Sequence, residues 1–405
     1  MALSRPSYLS MLTLSIVRHS PVLLVALVLL LAACDSEGSS LYDPDAGTGA
    51  APSIASVSPG GVILAGVDAV TIEGQNFSAT PTDNVVVFED GLGNSDRGVV
   101  QEASPTRLVV QTPNLPNEAL RVRVAVVGAQ DYSNAVPLPL TAAFVRFGDL
   151  GQTEIPYGIA TDEDGTLYVS LERDGASVGI VEIAPDGSQS AFFASTFPWT
   201  ALAWGNDRLV GVRRVRAVFE LPEAGAQTVL SAFQPASLLL TAIATTPNGT
   251  VYAGGSAAKI VSVAADGTPS ETAFPTPIRA LAAGANTLYV VGAGAGGSPD
   301  QVYTLTIASD GSLGTPAALA DLPASGMSLE VAADGTLYVG LDRVVDPIVT
   351  VAPDGTVDAL YPGILSGPAS SLAYGTGGLL YMVRDGSGTE RPDILQIETR
   401  REGAR

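Results

Sequence analysis

Through most of the chain, apolar and polar residues alternate in short runs that turn residues interrupt every few positions, the pattern of half-buried strands. Two stretches depart from it. Residues 21–33 are uninterrupted and apolar, and residues 35–51 are polar, acidic and rich in Gly and Ser, the composition of a flexible tether. Between 52 and 140 the strand candidates are 53–57, 69–73, 84–88, 107–111 and 120–127. Turn signals separate them: Pro59-Gly60-Gly61, Glu89-Asp90-Gly91 and Pro113-Asn114. Several short strands at this spacing predict a β-sandwich.

From 141 to 405 the pattern repeats. One copy reads Gly-Ile-Ala-Thr-Asp-Glu-Asp-Gly-Thr-Leu-Tyr-Val at 158–169, followed by Ile-Val-Glu-Ile-Ala-Pro-Asp-Gly at 180–187. Another reads Leu-Glu-Val-Ala-Ala-Asp-Gly-Thr-Leu-Tyr-Val at 329–339, followed by Ile-Val-Thr-Val-Ala-Pro-Asp-Gly at 348–355. Weaker copies centre on Leu209-Val210, Val251-Tyr252, Leu288-Tyr289 and Leu380-Tyr381. A spacing of roughly 40–45 residues is the period of a four-stranded propeller blade. About six blades are expected from these copies. The last copy has no outer strand, and the orphan strand at 143–147 is expected to supply it and close the ring. The fold class is therefore all-β: a β-sandwich at 52–140, then a six-bladed β-propeller at 141–405 closed by an N-terminal strand.

Two resemblances sharpen this reading. Pro52-Ser-Ile-Ala-Ser-Val-Ser-Pro59, Val70-Thr-Ile-Glu-Gly-Gln-Asn-Phe77, the run 85–88 and Ser133-Asn-Ala-Val136 together resemble an IPT/TIG domain. That resemblance implies an immunoglobulin-like binding or spacer module. In it Gly74 and Asn76-Phe77 shape a turn and the ring of Phe77 enters the core. The Asp-Gly and Leu-Tyr-Val pattern of the second half is similar to NHL-repeat and related six-bladed propellers, although several propeller families share it.

The apolar run at 21–33 ends in Leu31-Ala-Ala-Cys34, which resembles a bacterial lipobox. Arg5, Arg18 and His19 precede it with no acid, as a signal peptide requires, and its length fits a signal h-region and is short for a membrane span. The resemblance implies cleavage before Cys34, a diacylglycerol on its thiol, and a tether at 34–51 that holds the folded part at the membrane. An uncleaved anchor helix is the alternative. The expected location is the bacterial cell envelope: outer membrane, cell surface or the periplasmic side of the inner membrane. Asp35 and Glu37 do not decide between leaflets.

Composition then excludes chemistry. Cys34 is the only cysteine, and the only histidine, His19, lies in the segment to be removed. A mature chain of this kind has no Ser-His-Asp or Cys-His nucleophile, no Cys/His zinc site and no histidine base. With 41 acidic and 20 basic residues the net charge is −21, which repels nucleic acid and anionic headgroups and leaves membrane attachment to the lipid on Cys34. One lysine among so many acids fits either a saline habitat or GC-rich coding.

The propeller mouth is the expected site. Aligning the copies places Tyr157, Thr200, Thr241, Arg279, Met327 and Ser370 in one ring, and Ala160, Ala203, Ala244, Ala282, Glu330 and Ala373 in a second. Alanine suits strands that converge on an axis, and Glu330 breaks the rule. Arg279, Glu330, Tyr157, Met327 and Trp199 are the candidate ligand-binding residues, for a protein or carbohydrate partner. Alternatively, Arg279 and Glu330 pair with each other or with channel water across neighbouring blades. The stretch Asp162-Glu163-Asp164-Gly165 invites calcium but falls short of an EF-hand loop, and Arg213-Arg214-Val215-Arg216 reads as a solvated strand edge or a docking patch. No cofactor and no metal site is expected. The expected function is a non-enzymatic envelope lipoprotein that binds through its propeller mouth. The alternatives are a metal-dependent hydrolase of the propeller-lactonase type, with Glu330 as one ligand, and a purely structural surface protein.

Overall fold

The computed structural model describes residues 49–386 and 391–404, so Cys34, the preceding apolar run and most of the tether lie outside the described residues. The first sheet contains β1 (Ser53–Ser58), β2 (Ala69–Gln75), β3 (Asn84–Glu89), β4 (Ser95–Ser104), β5 (Arg107–Gln111), β6 (Arg121–Val126) and β7 (Val136–Pro137). Their order is β1-β2-β5-β4-β3-β6-β7. β4 belongs to both halves of the sandwich: Ser95 to Gly98 pair with β3, and Val99 to Ser104 pair with β5. Alternate residues of β2, β3, β5 and β6 point inward, and Val70, Ile72, Val86, Phe88, Leu108, Val110, Val122 and Val124 form the core. Gly74 and Phe77 depend on each other. A Cβ on Gly74 would stand 2.0 Å from the Ser53 carbonyl oxygen and 2.5 Å from the Phe77 ring, which is buried there. Asn76 turns the chain between them with φ 61°.

β8 (Phe144–Arg146) leaves the sandwich and joins the propeller. Six four-stranded antiparallel sheets follow the same order from axis to rim. Their inner strands are Glu154–Thr161, Ala201–Gly205, Leu240–Thr245, Ile278–Ala283, Gly326–Val331 and Ala369–Tyr374. The second strands carry the Leu-Tyr-Val signature. Their near-continuous apolar runs follow from burial on both faces, because each sheet stacks between two others: Val251–Gly255 and Leu337–Leu341 are buried at every position. Rim strands have no such cover, and Pro269–Ala273 is mostly exposed. Neighbouring inner strands come close enough that a Cβ on Gly158 would lie 2.8 Å from the Cα of Ala201 in the next blade.

In the sixth sheet the order is Ala369–Tyr374, Leu379–Arg384, Asp393–Glu398, then β8. The first and sixth blades share one core, in which Ile159, Leu167 and Val169 meet Ala373, Tyr381, Val383 and Ile394. The Thr161 hydroxyl donates to the Tyr374 carbonyl across the same seam. Tight turns join the strands. The Pro-Asp-Gly and Ala-Asp-Gly turns place glycine in the left-handed region, as at Gly187 (φ 85°) and Gly355 (φ 87°). Their aspartates accept hydrogen bonds from the residue two ahead. The Ser188 hydroxyl and amide hold Asp186 below the usual carboxylate range, and the Thr356 amide does the same for Asp354.

Sandwich and propeller meet through backbone and one bidentate ion pair. The Thr141 amide donates to the Ile63 carbonyl at 2.8 Å. Arg400 donates to Asp68 through Nη1 (2.9 Å) and Nη2 (2.7 Å), and through Nη2 to the Val62 carbonyl (3.2 Å).

Candidate functional site

Register fixes the axial ring. Ala160 pairs with Tyr168, Ala203 with Val210, Ala244 with Tyr252, Ala282 with Tyr289, Glu330 with Tyr338 and Ala373 with Tyr381. All six inner-strand residues line one cavity of about 340 Å³. It lies where the inner strands end, beside the turns that carry Asp162, Glu163, Asn206, Asp207 and Thr246. Trp204 and Tyr374 contribute aromatic wall. The indole of Trp204 is braced by stacking on Tyr168, with ring centroids 5.0 Å apart and planes 7° from parallel.

The chain's last described residues complete the wall. After Asp393–Glu398 the tail crosses to the fifth blade, where Ala404 donates its amide to the Val331 carbonyl and Ala333 donates to the Glu402 carbonyl, each at 2.8 Å. Arg401 fastens this crossing by donating to Asp334 (3.0 Å) and to the Tyr338 hydroxyl (3.4 Å). Ala404 thereby lines the cavity together with Glu330. Nothing in the polar, Arg-rich tail signals that position.

Glu330 is the acid among the alanines. Protein surrounds its carboxyl, which keeps only partial solvent contact through the channel. Burial pushes it up to about 8, opposed only by a hydrogen bond from the Val331 backbone. It forms no ion pair among the described residues.

The other candidates stand elsewhere. Tyr157, Arg279 and Met327 precede the ring positions by three residues, about 10 Å along each strand, and do not line the cavity. Arg279 does not pair with Glu330. Its Nε lies 3.5 Å from Asp300 Oδ2, and Asp300 (7% exposed) also accepts from the Gly294 and Gly326 amides. The Tyr157 hydroxyl donates to Glu172 Oε2 at 3.0 Å, and burial, then this bond, pushes its pKa above the usual tyrosine value. Met327 is half-buried at the start of its strand. Trp199 is not at a mouth: it is fully buried against Phe193 and Phe219 between the first two blades. Its apolar ring fills that seam, and Arg213 lies over it at 5.2 Å and over Phe197 at 4.8 Å. Arg213 is thus an aromatic-stacked cation rather than a freely solvated edge.

The acidic turn at 162–165 uses its own oxygens. Asp162 Oδ1 accepts from the Asp164 and Thr166 amides, and Oδ2 accepts from the Tyr168 hydroxyl at 3.0 Å. Among the described residues no group of three or more His, Cys, Asp or Glu side chains is placed to hold a metal ion.

The fold joins an immunoglobulin-like domain to a six-bladed β-propeller. Residues 52–139 match the family model of the IPT/TIG domain. A search of curated proteins finds no match. Among solved structures, the chain is similar to a protein of unknown function from Bacteroides thetaiotaomicron VPI-5482. Identity is 15% over 89% of this chain and 100% of that chain, with a TM-score of 0.46. It is also similar to an auxiliary nutrient binding protein from the same organism, at 12% identity over 88% of this chain and 98% of that chain, with a TM-score of 0.48.

Proposed function

We propose that this protein is a lipid-anchored binding module of a bacterial cell envelope, not an enzyme, and that an NHL-like propeller holds a protein or glycan partner at its axial cavity. The observation that carries the reading is the cavity of about 340 Å³ built by one residue from each of six blades. Its polar groups converge from separate turns, Asn206 and Asp207 from one and Thr246 from another, as recognition of a shaped ligand requires. Catalysis has less support. Glu330 has alanines beside it in its ring where a metal-dependent hydrolase needs further ligands. The IPT/TIG match suits a spacer or second contact, and the lipobox-like Leu-Ala-Ala-Cys34 suits a membrane tether.

Two measurements test this. Glycan-array and peptide-library binding is expected for the intact protein, and cavity-filling Ala282→Phe and Ala404→Trp are each expected to weaken it tenfold or more. Ala404 sits on the tail, so its variant remains informative if Ala282→Phe melts early. Undiminished binding in both variants would move the site off the axis. Cys34→Ser is expected to release the protein from membranes into the soluble fraction, and retention there would reject the lipid anchor.

A further inference from the structure

We propose that the group received by the axial cavity is an organic cation, an ammonium or a guanidinium, with Glu330 as its counter-ion; this rests on the axial cavity being the binding site. Five blades place alanine at the ring position and the fifth blade places a glutamate. A carboxyl surrounded by protein costs free energy unless something compensates it, and the nearby cations among the described residues are committed elsewhere. Arg401, on the tail beside it, donates to Asp334 and the Tyr338 hydroxyl. Arg279, on the neighbouring inner strand, faces Asp300.

Charge around the opening has the same sign. Asp162 and Asp207 line the cavity, and no described Arg or Lys does. An anionic ligand would meet repulsion at the rim and again at Glu330. A neutral ligand would cover the carboxyl and leave it without a partner. A cation compensates it, and the aromatic faces of Trp204 and Tyr374 in the same wall suit a positive charge. A bare metal ion fits less well, because among the described residues no group of three or more His, Cys, Asp or Glu side chains that could hold one includes Glu330.

Binding is linked to a proton. Among the described residues, the titratable and charged groups around Glu330 are Tyr338 on the adjacent strand, Tyr374 on the next inner strand, Arg401 on the tail, and the rim acids. Burial pushes Tyr374 far up, so it stays neutral while Glu330 titrates. The cation selects the ionised carboxyl, so affinity rises with pH until Glu330 is ionised in the free protein.

Titration calorimetry with methylguanidinium and butylammonium, against their neutral counterparts methylurea and butanol, tests the proposal on the intact protein. Expected are a preference for the cations of tenfold or more and a tightening of about tenfold or more between about pH 6.5 and 8.5. Glu330→Gln is expected to abolish both. Equal binding of the neutral compounds, no binding of either cation, or a Gln variant that behaves as wild type would overturn the cation assignment. A neutral library ligand lost in Ala404→Trp yet retained in Glu330→Gln would reject the cation and leave the axial cavity as the binding site. Library binding undiminished by cavity filling would reject the site itself.

Discussion

Asp393→Ala is expected to destabilise the propeller by about 1.5–3 kcal/mol. Asp393 faces Arg384 across neighbouring strands of the sixth blade, and both are buried, at 5% and 6% side-chain exposure. Arg384 donates through Nε to Oδ1 at 2.8 Å and through Nη2 to Oδ2 at 2.6 Å, the planar bidentate geometry that best offsets desolvation. Removing the carboxylate strips the buried guanidinium of both of these charge-assisted hydrogen bonds, and that loss is the source of the cost. Arg146 on β8 contacts the same Oδ2 at 3.0 Å, but its side chain is 62% exposed. Arg146→Ala is therefore the control, with an expected cost below about 1 kcal/mol. Urea denaturation of the two variants measures both. A loss under about 1 kcal/mol in Asp393→Ala would show that the pair contributes little to stability.

The same blade shows how closure is reached. Phe144 to Arg146 pair with Leu395 to Ile397 by backbone hydrogen bonds, so the propeller's first and last strands share one sheet. Arg400 then reaches Asp68 in the sandwich and Arg401 reaches Asp334 in the fifth blade. Consecutive arginines in an acidic protein thus pin the tail in two directions. The second of them carries Ala404 to the cavity wall.

Legibility in the sequence tracked how local each signal was. The Leu-Tyr-Val strands and Asp-Gly turns are short-range patterns, and they marked the clearest blades, with weaker copies such as Leu209-Val210 marking the second strands of the others. Because strand pairing has a period of two residues, aligning those turns also placed the ring that contains Glu330. β4 went unseen. Ser95–Ser104 is mostly exposed as it passes between two halves of the sandwich, so it shows no apolar alternation. The other mouth candidates fall outside this cavity for a different reason. Tyr157 and Arg279 find partners, Glu172 and Asp300, that alignment of inner strands does not bring into view. Trp199 looked like a mouth residue because it precedes an inner strand, but that position turns into the seam between blades, where a large apolar ring is buried.

Glu330 makes the stability of the whole protein depend on pH in a direction opposite to an ordinary paired acid. Its carboxyl stands at about 8 when folded, against 4.5 when free. At pH values below the unfolded value both states hold the proton, and Glu330 costs nothing relative to glutamine. As pH rises between the two values the unfolded chain ionises while the folded one does not, so stability falls across that window and levels off above it. The full shift corresponds to a ceiling near ~5 kcal/mol. Water in the channel screens part of it, and about 3 kcal/mol is expected. Glu330→Gln removes this slope. Acids whose values are lowered, such as Asp186 and Asp354, slope the other way, but both proteins carry them and they cancel in the comparison. Urea midpoints for the two proteins should therefore coincide near pH 4 and separate steadily toward pH 8, with the Gln variant the more stable. A constant difference across that range would mean that Glu330 ionises as it would in water, which is incompatible with a carboxyl surrounded by protein.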